Sequence, residues 1–315
     1  MKLKTLFFIL TCSLFLITEN NFGQMYKFSG GPSGGTFQYF ASAISTLAKK
    51  NKIRVLTSSS GGSIENIRLV NSGKSKFGVA YSGHVYAGRK GTLPNDKNTY
   101  KNVMAVSFLY GAPAQLVVKK KSGISNPKGL KGMRIGIGNA GSGAAANAEI
   151  FFRQLGLWDS IDKEFLGYRG AADAFNNGQL DAFWIFAGFP NASVLEAALQ
   201  SDVTILNTYS AAEEAKLFVD YPYFEEVIIP ANTYSGQTKD VKTFQDGALW
   251  VANRDVPEDV VYNLLKSIYN EDALKYMVEV HKSAVEMTIK NGIKGIVTPL
   301  HPGAEKFWKE KGILK

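Results

Sequence analysis

Residues 26–47 read YKFSGGPSGGTFQYFASAISTL, and three parts follow one another in this stretch. The apolar segment Tyr26–Ser29 predicts a short strand, and Gly30–Gly35 supplies a turn of small residues. Beyond the turn, apolar residues recur at the spacing of one helix face, namely Phe37, Phe40, Ala41, Ile44 and Leu47. The order of strand, small-residue turn and helix predicts a βα unit.

The same unit recurs twice along the chain. A strand at Arg54–Thr57 leads into the turn Ser58–Ser63 and a helix, and a strand at Met133–Gly138 leads into the turn Asn139–Gly143 and an Ala-rich helix. Further strands are predicted at Phe77–Ala80, Val103–Tyr110, Phe165–Arg169, Ala182–Phe186 and Val203–Leu206. Strands that alternate with helices predict an α/β fold with mostly parallel sheets.

The length of 315 residues suggests about two domains of roughly 150 residues each. No low-complexity linker separates them, so we expect strands that cross from one domain to the other. These crossings are predicted at Ala114–Lys119 and Ala248–Asn253, which flank the middle third of the chain. The predicted domain I comprises residues 25–111 and 240–315, and the predicted domain II comprises residues 112–239.

The N-terminus has the features of an export signal. Lys2 and Lys4 precede the apolar run Leu6–Ile17, and polar residues follow it to Gln24. The run is too short to span the ~30 Å hydrocarbon core of a membrane, but it suits a signal peptide. Residues 1–24 are therefore predicted to direct the protein to the periplasm. No membrane insertion is expected of the remaining chain.

Composition argues against several classes of function. The formal net charge of +9 is spread along the chain, and only Lys119–Lys121 forms a basic cluster, so no nucleic-acid partner is expected. The single cysteine, Cys12, lies in the apolar run, where a lipid anchor remains open. The three histidines, His84, His281 and His301, share no spacing typical of metal ligands. No metal and no cofactor are predicted.

Two glycine motifs suggest enzymes as alternatives. Gly31–Gly35 spells G-x-S-x-G, the nucleophile elbow of α/β hydrolases, but that elbow normally follows several strands and here only one precedes Ser33. Gly136–Gly141 spells G-x-G-x-x-G, as in dinucleotide-binding sites, which also need an acid at the end of the next strand. The predicted next strand, Phe165–Arg169, ends without one. An exported hydrolase or NAD(P)-binding oxidoreductase remains the alternative to a protein without catalysis.

The three small-residue turns themselves favour binding. In an open α/β sheet such turns lie at the carboxyl edge of the strands, and the helix starts that follow them leave backbone N–H groups unpaired. These groups and the helix dipole attract anions, so the turns predict a carboxylate site. Ordinary helix caps would show the same residues. The predicted ligand-binding residues of the turns are Ser33, Gly34, Thr36, Phe37, Ser60, Gly61, Ser63, Gly141, Ser142 and Gly143.

The sequence resembles the TAXI family of extracytoplasmic solute receptors, which serve TRAP transporters. The resemblance covers nearly the whole chain after residue 24 and depends on seven motifs in the family's order: Ser33–Phe37, Ser60–Asn66, Asn139–Gly143, Gly178–Phe183, Tyr221–Tyr223, Ile229–Tyr234 and Pro299–Gly303. It implies a two-domain periplasmic-binding-protein (type II) fold, with a ligand cleft between two α/β domains joined by hinge strands. It also implies capture of a small organic anion, glutamate or a related dicarboxylate, and its delivery to the membrane subunits of a TRAP-type permease.

The sequence departs from the family's pattern near the expected ligand. Tyr81, Ser82 and Gly83 stand where the family usually has Gln-Ser-Asp, and Thr36-Phe37 stands where it often has Tyr-Tyr. Ala144 and Ala145 stand where Thr or Arg is common, which leaves a carboxylate to backbone N–H groups or to another arginine such as Arg169.

The resemblance also adds ligand-binding residues outside the turns. It implies that Tyr81 and Ser82 lie at the cleft, and that the segment bearing Trp184 and Gly188 faces it. The identity of the ligand stays open.

Overall fold

The computed structural model describes residues 24–94 and 96–314. The predicted signal peptide and Cys12 lie outside these residues, apart from Gln24. The strands are β1 Met25–Ser29, β2 Arg54–Ser58, β3 Phe77–Tyr81, β4 Val103–Lys119, β5 Arg134–Gly136, β6 Asp162–Glu164, β7 Ala182–Phe186, β8 Val203–Ile205, β9 Glu225–Ile229 and β10 Val241–Asn253. The helices are α1 Thr36–Lys50, α2 Ser63–Asn71, α3 Ser82–Lys90, α4 Gly143–Gln154, α5 Tyr168–Asn176, α6 Ala192–Gln200, α7 Thr208–Glu214, α8 Leu217–Asp220, α9 Glu258–Ile268, α10 Glu271–Val280 and α11 Pro302–Glu310. None of the helices described is long and apolar enough to cross a membrane.

The strands form one continuous sheet in the order β2-β1-β3-β10-β4-β7-β5-β6, with β8 beside β4 and β9 beside β10. At one end, β1 runs parallel to β2 and β3, and at the other, β5 runs parallel to β6 and β7. We call residues 25–90, with β1–β3 and α1–α3, the N-terminal lobe. Residues 134–200, with β5–β7 and α4–α6, are the middle lobe. The three predicted βα units are confirmed as β1-α1, β2-α2 and β5-α4.

Two long strands connect the lobes. The first part of β4 pairs with β10 up to Pro113, and its residues Ala114–Val118 then pair with β7 of the middle lobe. In β10, Ala248–Ala252 pair with β3 of the N-terminal lobe, whereas Val241–Gln245 pair with β9. Both segments predicted to cross between domains therefore lie within strands that the two parts of the sheet share. The exact domain boundaries remain a prediction.

Helices cover both faces of the sheet, which explains why strands such as β3 and β7 are buried at every position and read as continuous apolar runs. In the N-terminal lobe, α1 buries Phe40 and Ile44 in the main core. On the opposite face, α2 buries Ile67 and Val70 in a second cluster with Leu249 of β10. Helices α9 and α10 pack on α1 from the C-terminal part of the chain.

The strand predicted at Phe165–Arg169 is wrong. The strand is β6, Asp162–Glu164, and the segment after it turns through Gly167 into α5, with the Phe165 side chain 50% exposed. Phe165 and Leu166 form an apolar pair in a connecting loop, which has the same local pattern as a short buried strand. Glu164 thus stands at the end of the strand that follows the G-x-G-x-x-G turn, where a dinucleotide site has its acid.

Candidate functional site

Four helices begin at one cavity between the two lobes. The N-cap residues Gly35, Gly62, Ser142 and Gly167 precede α1, α2, α4 and α5, and all four residues line the cavity. Two of these helices belong to the N-terminal lobe and two to the middle lobe. The cavity has a volume of about 20 Å³, which is room for about one water molecule. The lobes are therefore closed upon each other at the carboxyl edge of the sheet.

Three of the four helix starts have glycine as N-cap and no side chain that accepts from their first N–H groups. Only α4 is capped by a side chain, because Ser142 Oγ accepts from the Ala145 amide at 3.0 Å. Nearby, the exposed Glu65 carboxylate accepts from the Gly61 amide at 2.6 Å and so offsets part of the positive potential of α2. The remaining N–H groups leave partial positive charge at the cavity.

Three tyrosines of different elements, Tyr81, Tyr110 and Tyr168, line the same cavity. The Tyr81 and Tyr168 hydroxyls both donate to the Phe186 carbonyl oxygen. Since Tyr81 belongs to the N-terminal lobe and Phe186 to the middle lobe, the first of these bonds joins the lobes. Burial raises the pKa of Tyr168 to about 12 and raises the pKa of Tyr81 and Tyr110 well above the usual value, so all three are neutral donors.

The Tyr110 hydroxyl, unlike those of Tyr81 and Tyr168, does not donate to the Phe186 carbonyl. The residue is fully buried, and its hydroxyl forms no well-directed hydrogen bond with a described residue, although the Thr36 side chain lies near enough to lower its pKa against the effect of burial. A buried hydroxyl without such a bond is costly in a folded protein. Since Tyr110 lines the cavity, its hydroxyl is a candidate donor to a bound molecule.

Glycine is required where the lobes approach most closely. A Cβ atom on Gly143 would lie 2.6 Å from Ser63 Cβ and 3.0 Å from His84 Cε1, both in the N-terminal lobe. A Cβ atom on Gly188 would lie 2.3 Å from Ser283 Oγ and 3.2 Å from Thr36 Cγ2. These distances are shorter than van der Waals contact, so a side chain at Gly143 would hold the lobes apart, and one at Gly188 would displace Ser283 and press on Thr36 of the N-terminal lobe.

Four of the five serine hydroxyls predicted to contact a ligand, all but that of the exposed Ser33, are already engaged within the protein. Ser60 Oγ donates to Asn66 Oδ1 at 2.7 Å, and Ser63 Oγ accepts from the Tyr81 amide at 3.0 Å. Ser82 Oγ donates to Asp246 Oδ1 at 2.7 Å, and Ser142 Oγ serves as the cap of α4. These hydroxyls hold the turns in shape. The unpaired backbone N–H groups at the helix starts remain as donors.

Half of the predicted ligand residues line the cavity: Thr36, Phe37, Gly61, Ser63, Tyr81, Ser142 and Gly143. The others do not: Ser33, Gly34, Ser60, Ser82, Gly141, Trp184 and Gly188. Trp184 is fully buried in the core because β7 is covered on both faces, and its ring stacks on Phe151 at a centroid distance of 5.3 Å. Its indole Nε1 donates to the carbonyl of Ala144, so it supports the cavity wall from behind.

Several lining residues were missed by sequence reasoning: Pro32, Gly35, Gly62, Tyr110, Asn139, Ala144, Gly167, Tyr168, Phe186 and Ala187. Ending the strand at Glu164 would have revealed Gly167 and Tyr168 as a fourth strand-to-helix turn. Tyr110 lies within a long buried strand, and no local pattern distinguishes it from core tyrosines.

The cavity wall carries no ionisable side chain other than the tyrosines, within the part of the chain that the structure describes. Two histidines lie directly behind it: His84 Nδ1 is 3.0 Å from Ser63 Oγ, and His281 Nε2 is 3.5 Å from Thr36 Oγ1. Burial lowers the pKa of both imidazoles to about 4, so both are neutral at pH 7. The exposed Arg169 does not line the cavity. The positive electrostatic potential in the cavity therefore comes from the backbone dipoles of the helix starts.

A buried carboxylate lies near the cavity in the shared strand β10. Asp246 accepts from the Ser82 hydroxyl and, at 3.1 Å, from the Gly83 amide at the start of α3. Burial raises the pKa of Asp246 to about 7, against these hydrogen bonds, which lower it. The Tyr223 ring covers Gly83, because a Cβ atom there would lie 2.4 Å from Tyr223 Cε2.

The geometry disfavours both enzyme alternatives. Ser33 is exposed, and its side chain forms no hydrogen bond with a histidine or carboxylate among residues 24–94 and 96–314. A nucleophile needs such a base within hydrogen-bond reach. For a dinucleotide, the acid at the end of β6, Glu164, is exposed and does not line the cavity beside the G-x-G-x-x-G turn.

The arrangement is that of a two-domain periplasmic binding protein, in which shared strands connect lobes that close on a cavity. The chain belongs to the NMT1-like family, whose sequence profile matches residues 28–312. Its fold is similar to that of MatC from Rhodopseudomonas palustris with bound malate, with a TM-score of 0.57, 15% identity, and coverage of 92% of this chain and 99% of that one. A protein of Bordetella bronchiseptica RB50 has a TM-score of 0.52 and 16% identity, covering 92% and 89%. A putative L-cystine ABC transporter protein of Listeria monocytogenes has a TM-score of 0.51 and 13% identity, covering 82% and 95%.

Proposed function

We propose that this protein is an extracytoplasmic solute receptor that captures a small organic anion between its lobes and catalyses no reaction. One observation carries the proposal: four helices, two from each lobe, begin at one closed cavity, and three of them lack a side-chain cap. The start of each helix carries about half a positive charge. An anion in the cavity would interact with helix starts of both lobes at once.

Such a ligand would favour the closed form. In the open form each lobe presents two helix starts to water, which screens them. Closure removes the water and forms the bond between Tyr81 and the Phe186 carbonyl across the lobes. The differential affinity of the ligand for the closed form is what shifts the population toward closure.

The finer assignment to the TAXI family is part of the proposal. The seven motifs support a receptor that is exported by residues 1–24 to the periplasm and delivers its ligand to TRAP-type membrane subunits. The malate bound to MatC, whose fold is similar, supports an organic acid as ligand. The dependence of uptake on this protein tests the partner: transport by reconstituted TRAP membrane subunits should cease without it, and uptake at an equal rate in its absence would refute the assignment.

A thermal-shift screen tests the function itself. The purified protein is heated with carboxylic acids, amino acids, sulfonates and nicotinamide nucleotides. A ligand at 100 times its Kd should raise the free energy of unfolding by about 2.7 kcal/mol. Stabilisation by organic anions supports the receptor. Stabilisation by NAD(P)H alone would favour the oxidoreductase instead.

A further inference from the structure

Most acceptors around the cavity are occupied, whereas donors remain; the exception is the Asn139 side-chain oxygen, which lines the cavity and accepts from no described residue. The Phe186 carbonyl accepts from the Tyr81 and Tyr168 hydroxyls. The carbonyls of the N-cap residues Gly35, Gly62, Ser142 and Gly167 accept from the backbone amides of their own helices. Ser63 Oγ and Ser142 Oγ accept from backbone amides as well. A bound molecule would therefore meet mainly N–H and O–H groups.

The nearest carboxylates do not reach the cavity. Glu65 is exposed and accepts from the Gly61 amide, Asp246 is turned toward Ser82 and Gly83, and Glu286 accepts from the Gly111 amide at 3.0 Å. None of the three is among the residues that line the cavity. An ammonium group enclosed there would have no anionic partner.

From this lining we infer that the receptor binds organic acids that lack an ammonium group and rejects the corresponding amino acids. The inference rests on the proposed function, and it narrows the ligand class from glutamate or a dicarboxylate to acids without an amine. Burial of a charge without a partner is among the most unfavourable events in binding. The partial positive charge of four helix starts would add repulsion to that cost.

The aromatic rings of the cavity do not replace a carboxylate as the partner of an ammonium group. A cation could bind over an aromatic face, and Phe37, Tyr81 and Phe186 all line the cavity. However, the Phe37 and Tyr81 rings pack against each other with centroids 4.9 Å apart, and the Phe186 ring meets Tyr81 edge to face at 5.1 Å. The three rings are thus packed tilted or edge to face against one another.

Calorimetric titration with matched pairs tests the inference. The pairs are glutarate and L-glutamate, propionate and L-alanine, 3-phenylpropionate and L-phenylalanine, and ethanesulfonate and taurine, each differing by one amino group. In any pair that binds, the member without the amine should bind on the order of 100-fold more tightly. Equal or tighter binding of the amino compound would overturn the inference and leave the receptor standing. If no member of any pair binds, both the inference and the proposed function fail.

A gain-of-function variant provides an independent readout. Ala144 lines the cavity in the first turn of α4, where an acidic residue is compatible with the helix. Ala144→Asp supplies the missing carboxylate, and it should reduce the preference against the amine at least tenfold. Ala144→Asn has nearly the same shape without the charge and should keep the preference of the natural protein. Equal effects of both variants would count against the electrostatic explanation.

Discussion

Gly143→Ala should weaken ligand binding without destabilising the fold. The new Cβ atom would lie 2.6 Å from Ser63 Cβ and 3.0 Å from His84 Cε1. Carbon atoms in contact prefer about 3.5–4.0 Å, so the lobes must separate by roughly 1 Å at this point. Overpacking of this kind costs about 1–3 kcal/mol, which corresponds to a loss of about 5- to 150-fold in affinity.

The cost falls only on the closed form. Gly143 is the first residue of α4, and its φ is not in the left-handed region, so alanine fits the local backbone. Alanine also has a higher helix propensity than glycine. The free energy of unfolding in the absence of ligand, measured by urea denaturation, should therefore stay the same or increase when the lobes can open.

Calorimetry with the acid that gives the largest thermal shift measures the affinity. Gly170→Ala is the matched control, because Gly170 lies in the first turn of α5 and has nothing within 4 Å of its Cβ position. The control should bind as tightly as the natural protein. Natural affinity in Gly143→Ala would refute the claim that closure of the lobes at Gly143 accompanies binding.

Three further variants separate binding from stability. Tyr110→Phe removes a buried hydroxyl without a well-directed hydrogen bond, so the free energy of unfolding should not fall while affinity decreases several-fold by calorimetry; unchanged affinity would exclude Tyr110 as a donor. Ser142→Ala removes the cap of α4 and should lower the free energy of unfolding by about 0.5–2 kcal/mol in urea denaturation, whereas a hydroxyl needed only by the ligand would leave it unchanged. Burial raises the pKa of Asp246 from 3.8 to about 7, so the folded protein holds this proton and loses stability as the pH rises through that window. Asp246→Asn should gain stability relative to the natural protein between pH 4.5 and 8, by at most about 4 kcal/mol, and a pH-independent difference would contradict the assignment.

The fold could be predicted from the sequence because its signal repeats. Three strand-to-helix turns with glycine and serine set the same local structure, and their order along the chain places them at one sheet edge. The prediction was wrong at Phe165–Arg169, where Phe165 is half exposed in a loop, because an apolar pair alone does not distinguish a loop from a short strand.

The candidate site could be predicted only in part. The glycines of the site could be predicted, because a close approach of two backbone segments requires glycine, as at Gly143. The roles of the serines could not, since a turn hydroxyl can cap a helix or contact a ligand with the same sequence, and Ser142 does the first. Trp184 was predicted at the ligand cleft but is buried in the core, whereas Tyr110, in a predicted buried strand, lines the cavity. Sequence alone does not distinguish the two positions, because burial in a shared sheet depends on contacts that are distant in sequence.

Amide NMR titration of the isotopically labelled protein tests the central claim most directly. The probe is the carboxylic acid with the largest thermal shift, and the reporters are the backbone amides of Thr36, Ser63, Gly143 and Tyr168, one at the start of each of the four helices. All four resonances are expected to shift together and to fit a single Kd equal to the calorimetric value. Shifts confined to residues elsewhere, such as the basic groove that Lys119–Lys121 line, would contradict it.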